Sequence, residues 1–407
     1  MSGIHAAAAT RIIHRVWCCS RVSDTYQRKA PLVSTRFGFV SSYPPTLCGL
    51  ATFNAALFHE LVVAGSDSGR VVRVVDTHQP ETEPEVMTQL VNGETGSLHR
   101  AVRALNAFDV AIVQHEYGIY GGPDGDEVLQ VLEELNIPSI AVLHTVLSAP
   151  SPHQKYVLEQ VVALADAVVT MTSAARERLA TNYTVDMTKV KVIPHGTAAA
   201  RPRLSPAFRT VQPTILTWGL IGRSKGIEWG VEAMSHLRDM TPMPQYVIAG
   251  QTHPKVVAYE GEKYRSELTD QIRSLGLNAN VVMDNHYRHT AALAELVSSA
   301  DVVLLPYDST EQVTSGVLVE AVAAMKPVVA TPFPHAVELL SDGAGILVPY
   351  HDSQAIADAV RSIVTDADQA ARMAHAAAAR TTDVLWPQVA EQYRALASRL
   401  IREKAAA

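Results

Sequence analysis

The chain has 407 residues, room for two to three domains at about 150 residues each, and its 47% apolar content fits a globular protein with a sizeable core. Lys+Arg number 34 against 41 Asp+Glu, a net charge of −7, so no global positive field exists for polyanions and non-specific nucleic-acid binding is not expected. Three cysteines (Cys18, Cys19 and Cys48) exclude a disulfide scaffold and a four-cysteine zinc site and suit a reducing compartment such as the cytoplasm, while no apolar run approaches the ~18 residues of a membrane span.

Residues 1–35 carry Arg11, Arg15, Arg21, Arg28 and Lys29 against the single acid Asp24, without the apolar stretch of a secretory signal. Ile12, Ile13, Val16 and Trp17 beside Arg11 and Arg15 allow a short basic anchor in weak peripheral contact with the inner face of a membrane. A disordered basic extension is the plainer alternative, because so short a helix is marginal alone. From Phe37 onwards strand and helix alternate. Phe37–Ser41 leads through Pro44, Pro45 and Gly49 into a helix with Leu50, Phe53, Leu57 and Leu61 at spacings of three and four. Further strands are expected at Arg70–Val75, Val110–Val113, Ser139–Leu143, Ala167–Met171 and Val190–Ile193. A second series runs Thr214–Thr217, Gln245–Ala249, Val281–Met283, Val302–Leu305, Val328–Ala330 and Ile346–Val348. Short runs that are Val/Ile-rich throughout read as parallel strands covered on both faces. Two such series predict an α/β protein of two doubly wound domains. The expected limits are 36–200 and 214–383, with a Pro/Arg-rich linker over 201–213. A final helix over 384–403 presents Trp386, Val389, Tyr393, Leu396 and Leu400 on one face, with Thr381, Thr382 or Asp383 as its cap.

Open α/β sheets bind ligands beyond the carboxyl ends of their strands, and four segments at such ends carry chemistry. Ser41–Gly49 precedes a helix, and Gly49 would let backbone approach an anion there; a Pro-rich turn is the alternative. His144 follows the strand ending at Leu143, and His115 with Glu116 follows Val110–Val113, ahead of the glycine-rich Gly118–Gly125 stretch. Either imidazole can donate into a cleft or serve as a structural polar contact, and no third ligand makes them a metal pair. Gly222-Arg223-Ser224-Lys225-Gly226 places two cations in a Gly-flanked loop, suited to a pyrophosphate or to solvent. In Glu311–Ala321, Thr314 or Ser315 can cap a helix starting near Gly316, whose first amides favour a phosphate. Glu320 lies one turn further on, placed for two vicinal hydroxyls such as those of a ribose.

Glu311–Ala330 resembles the signature of retaining, nucleotide-sugar-dependent glycosyltransferases of the GT-B fold, family 4: a Glu, a spacer, a second Glu, a small-residue helix and a Pro-Val-Val strand. Glu320 matches the second Glu, whereas the first position holds Gln312 with Glu311 just before it. Ser41–Phe53 is similar to the family's first loop, Leu143-His144-Thr145 to its strand-end histidine, and Val192–Gly196 to the close of its N-terminal domain. Lys225-Gly226 matches its phosphate loop and Gly343–Pro349 its G-x-L-V-P strand, while the usual loop arginine falls at Leu220 and Arg223 lies nearer Lys225.

The resemblance implies two Rossmann-like domains facing a cleft, with the last helix crossing back to the N-terminal one. It implies transfer of a hexose, mannose or glucose, from a GDP- or UDP-sugar to a carbohydrate or lipid-linked acceptor, with no metal or other cofactor. By the same token Lys225, Arg223, Gly49 and the amides of Ser315, Gly316 and Val317 meet the donor phosphates, and Glu320 the ribose. His144, Glu311 and Gln312 meet the sugar, and Asp284, Asn285 and Tyr287 lie at the base. The departures at Gln312 and Arg223 leave two alternatives: a catalytically weak nucleotide-sugar-binding subunit, or a sugar-nucleotide epimerase of the same fold.

Overall fold

The computed structural model describes residues 34–199 and 212–407. The expectations for the basic extension, and most of those for the 201–213 linker, fall outside the described residues.

The first domain is built from β1 (Arg36–Ser41), α1 (Gly49–Phe58), β2 (Ser68–Val75), β3 (Val86–Val91), α2 (Thr95–Leu105) and β4 (Val110–His115). It continues with α3 (Glu127–Glu133), β5 (Ser139–Leu143), α4 (Pro152–Leu164), β6 (Ala167–Thr170), α5 (Ser173–Asn182) and β7 (Val190–Val192). Its seven strands are all parallel, in the order β3-β2-β1-β4-β5-β6-β7. Alternate residues of each strand enter opposite layers. Val72, Val74 and Val113 pack with Leu98, Val128, Val161 and Leu179 of α2–α5. Phe37, Phe39, Val71 and Ile112 pack with Phe53 and Leu57 of α1.

The second domain runs β8 (Thr214–Trp218), α6 (Ile227–Ser235), β9 (Gln245–Ala249), α7 (Pro254–Glu260), α8 (Lys263–Ser274), β10 (Val281–Asp284) and α9 (Thr290–Ser299). After these come β11 (Val302–Leu305), α10 (Gly316–Ala323), β12 (Val328–Ala330), α11 (Pro334–Leu340), β13 (Gly345–Leu347), α12 (Ser353–Thr365) and α13 (Ala367–Thr381). Six parallel strands stand in the order β10-β9-β8-β11-β12-β13. Both sheets therefore have the doubly wound form that the apolar runs predict.

The last helix, α14 (Trp386–Ala406), lies on the first domain. Its Val389, Tyr393, Leu396 and Leu400 fill the layer above Phe37, Phe39 and Leu57, each such burial worth about 1.5–3 kcal/mol. Arg394 adds an ion pair to Asp67 at 2.7 Å. The two chain crossings between the domains are joined: Thr197 N–H donates to Val384 O at 2.8 Å, and Trp386 N–H donates to Thr197 O at 3.0 Å. Gly196 is required here, since a Cβ would stand 2.1 Å from the Trp386 ring.

Two local readings are corrected and one choice between residues is decided. The strand Val86–Val91 was not foreseen, because it is an edge strand with a half-exposed start and shows no continuous apolar run. Thr381, Thr382 and Asp383 do not cap α14; the chain passes from α13 through one tight turn, Leu385 takes the cap position without a side-chain bond, and Pro387 sits in the first turn. Of Thr314 and Ser315, Ser315 caps α10.

Candidate active site

The site is assembled where the carboxyl ends of the two sheets meet. β8 ends in Trp218 and the chain turns into the 222–226 loop. Gly226 there has φ +55°, and a Cβ would meet Pro306 O at 2.1 Å, so only glycine lets the loop close on β11. Lys225 extends over the Tyr307 ring, its Nζ 3.9 Å from the centroid, and Tyr307 is itself stacked on Phe333. Such a cation–π seat positions an ammonium without neutralising it. Arg223 behaves differently from its expected role: it pairs with Glu260 at 3.0 Å and Glu267 at 2.8 Å and lies over Tyr264. Those partners come from α7 and α8, distant in sequence, and they commit the guanidinium that was expected to meet phosphate.

Beyond β11, which neighbours β8, α10 begins at Gly316. Ser315 Oγ accepts from Leu318 N–H at 3.3 Å, and its own N–H donates to Nδ1 of buried His335 at 2.8 Å. Ser315 therefore offers no free amide, which corrects its expected phosphate role. Gly316 and Val317 N–H are first in the helix, where no intrahelical carbonyl reaches. Glu320 sits one turn inside, accepting from Trp218 Nε1 at 3.0 Å. Burial pushes its carboxyl above the usual range, and the indole N–H draws it partly back. Trp218 is a positioning partner that the sequence reading missed; an indole at a strand end is the signal that marks it.

Across the cleft, His144 stands at the end of β5 with Nε2 2.8 Å from Gln114 Oε1 and its ring edge-on to Phe53. Burial, reinforced by His195 and His115, holds it neutral, down to about 3. His115 is fully enclosed, pushed down to about 4 by burial, and faces Tyr117 rather than the cleft. Glu116 accepts from Thr145 Oγ1 and, at 3.0 Å, from Tyr117 N–H. Gly49 is the first residue of α1, and open space surrounds the place a Cβ would take. The packing therefore does not demand glycine there.

Glu311 is engaged by protein groups, against its expected contact with a sugar. Its carboxylate accepts from Ser148 N–H at 2.7 Å, from Ser148 Oγ and from Arg178 Nη1 at 2.8 Å, all in the first domain. Gln312 Nε2 donates back to Thr314 O. The same contact zone holds Thr172 Oγ1 donating to Val313 O at 2.9 Å. In it too, Glu338 of α11 accepts from Ser173 and Ala174 N–H at 2.9 Å each, at the start of α5. Lys255 Nζ reaches Gly118 O from α7. At the far side of the second domain, the Asp284 carboxylate is bound by Arg288 and His286, which lower it to about 2. It is thereby committed, against its expected contact with a base. Asn285 lines a cavity of about 360 Å³ with Gln251, Thr252 and Glu262, and Tyr287 OH lies 3.5 Å from Thr52 Oγ1 of α1. Among the described residues no three His, Cys, Asp or Glu side chains converge to hold a metal ion, and no helix is long and apolar enough to cross a membrane.

Residues 203–380 match the family described as Glycosyl transferases group 1, and residues 49–201 match Glycosyltransferase Family 4. The D-inositol 3-phosphate glycosyltransferase of Paenarthrobacter aurescens is 30% identical over 300 residues, 67% of this chain and 71% of that protein. The protein of the same name from Stackebrandtia nassauensis is 30% identical over 288 residues, 64% of this chain; the match spans 62% of that relative, less than two thirds of its length. The crystal structure of Anabaena Alr3699/HepE in complex with UDP and glucose aligns over 90% of this chain and 100% of that one, with a TM-score of 0.69 at 18% identity, and so shares the fold. Two doubly wound domains meeting at their strand ends, with a returning terminal helix, define a glycosyltransferase of the GT-B type. Within that class, the chain belongs to the group 1 glycosyl transferases, family 4.

Proposed function

We propose that this glycosyltransferase moves a hexose, mannose or glucose, from a GDP- or UDP-sugar to a hydroxyl of a carbohydrate or lipid-linked acceptor, with retention at the anomeric carbon. One observation carries the reading: Lys225, unopposed by any carboxylate among the described residues, lies beside a helix start with two unengaged amides and a carboxylate one turn on. A diphosphate joined to a ribose fits that sequence of groups. Lys225 and the Gly316 and Val317 amides meet the diphosphate, and Glu320, held by Trp218, accepts from the ribose hydroxyls. His144 faces the sugar from the opposite domain.

As the C1–O bond to the diphosphate breaks, its electron pair passes to the phosphate oxygen. The ammonium and helix amides stabilise charge where it develops, commonly the largest catalytic contribution. The acceptor oxygen then bonds to C1 on the same face, and its proton goes to the departing phosphate. No step of this scheme calls on a divalent ion. Glu311 and Glu338 bridge the two domains, and closure of the cleft between them would exclude the water that otherwise hydrolyses the donor. The test is nucleoside diphosphate release from a panel of UDP- and GDP-sugars, with and without EDTA and with mixed acceptors. Turnover of one donor, insensitive to EDTA and lost in Lys225→Ala and Glu320→Ala, supports the transferase. Donor binding without turnover supports a binding subunit, and release of a free epimer supports an epimerase.

A further inference from the structure

Two imidazoles flank the start of α10, and backbone groups fix where their protons lie. Ser315 N–H can only donate, so His335 Nδ1 accepts and the proton of His335 is on Nε2. The Gly196 carbonyl can only accept, so His195 Nδ1 donates to it at 2.8 Å, and the neutral His195 ring keeps its lone pair on Nε2. That nitrogen and the adjacent Cε1 lie against Gly316, each 3.0 Å from where a Cβ would stand. His195 is only partly enclosed, and the turnover described above makes no use of it. A lone pair there would repel a phosphate oxygen; protonated, the same nitrogen donates a charge-assisted hydrogen bond. We propose that His195 is a further diphosphate-binding residue of the donor site, taking a proton onto Nε2 as the nucleoside diphosphate binds. The inference rests on the donor reading above.

The surroundings of the ring explain why the proton arrives with the ligand. Burial pushes His195 down to about 4. The titratable groups facing it are His144 at the end of β5 and His335 on α11, each held neutral, down to about 3. Phe53 of α1, at 5.0 Å between ring centroids, and Trp386 of α14, at 6.0 Å, carry no charge. Gly316 has no side chain, and among the described residues no carboxylate pairs with His195. Among these neighbours only the Gly196 carbonyl on Nδ1 favours the imidazolium, by less than burial opposes it, and the diphosphate is the one anion in the scheme that does. The proton is taken from solvent on binding. It stays on Nε2 opposite the charge that grows on the leaving phosphate, and returns to solvent on product release.

Calorimetric titration of the full chain with UDP and with GDP, near neutral pH in buffers of different ionisation enthalpy, counts the protons exchanged. Wild type is expected to take up close to one proton per nucleotide bound, with affinity falling up to about tenfold per pH unit as pH rises. His195→Asn and His195→Gln should bind more weakly, without uptake and with a flat pH profile. Ionisation of the nucleotide's own phosphate on meeting a cation releases protons, the opposite sign. Tight binding to wild type with no uptake, or uptake retained in either variant, overturns the proposal while leaving the donor reading intact. Binding of neither nucleotide to wild type removes both. The wild-type proton count stands even where a variant fails to fold.

Discussion

Glu311 lies just ahead of α10 and Glu320 one turn inside it, yet their surroundings differ in kind. Glu311 is held by Arg178 and Ser148 of the other domain. Glu320 is partly buried inside its own domain, with one indole N–H on its carboxylate. One acid joins the domains; the other, proposed above to meet the ribose, sits at a cost in burial. Between them Gln312, in register for the family's first Glu, folds back on Thr314. The difference teaches that two carboxylates on one loop and the helix it enters can address different domains.

The widest separation between the two acids should appear in turnover. Glu320→Ala is expected to lower donor turnover by about 10²–10³-fold, whereas Glu311→Ala should lower it by less than about tenfold. Equal losses, measured as nucleoside diphosphate release, would break the comparison. Trp218→Phe removes the N–H on Glu320 but keeps an apolar ring. Loss of a hydrogen bond to a charged group, about 1.5–3 kcal/mol, should weaken nucleotide binding roughly ten- to a hundredfold in calorimetry.

Smaller effects concern stability. A double-mutant cycle on Glu311 and Arg178 should give a coupling of about 0.2–1 kcal/mol that shrinks with added salt, as a half-exposed ion pair requires. Glu320 has the opposite sign. Its folded pKa is raised, so the unfolded chain releases the proton first and stability declines as pH rises from the unfolded value through the folded one. Glu320→Gln should therefore raise the melting temperature at neutral pH while lowering turnover, and a lowered melting temperature would contradict the burial argument.

Much of the fold was legible because parallel strands covered on both faces must be apolar throughout, as Val110–Val113 and Val302–Leu305 are. Val86–Val91 escaped for the same reason inverted: an edge strand keeps polar residues such as Thr88 and Gln89. In the site, the turn at Lys225-Gly226 and the helix start at Ser315-Gly316, with Glu320 one turn on, could be located because a local turn or cap sets each. Arg223 and Glu311 could not, since each takes its partners from segments far along the chain: Glu260 and Glu267 for one, Arg178 for the other. His195 and Gly316 meet across more than a hundred residues, and no local pattern announces that contact.

The return of α14 to the first domain has a consequence for how the molecule is made. Phe37, Phe39 and Leu57 are synthesised early, but the helix that covers them is the last element of the described chain. During translation the first domain must wait, one apolar face open, while the whole second domain emerges. Domains that usually fold one after another on the ribosome are here obliged to finish together. An interruption after Thr381 would leave that face exposed as a large apolar patch, prone to association.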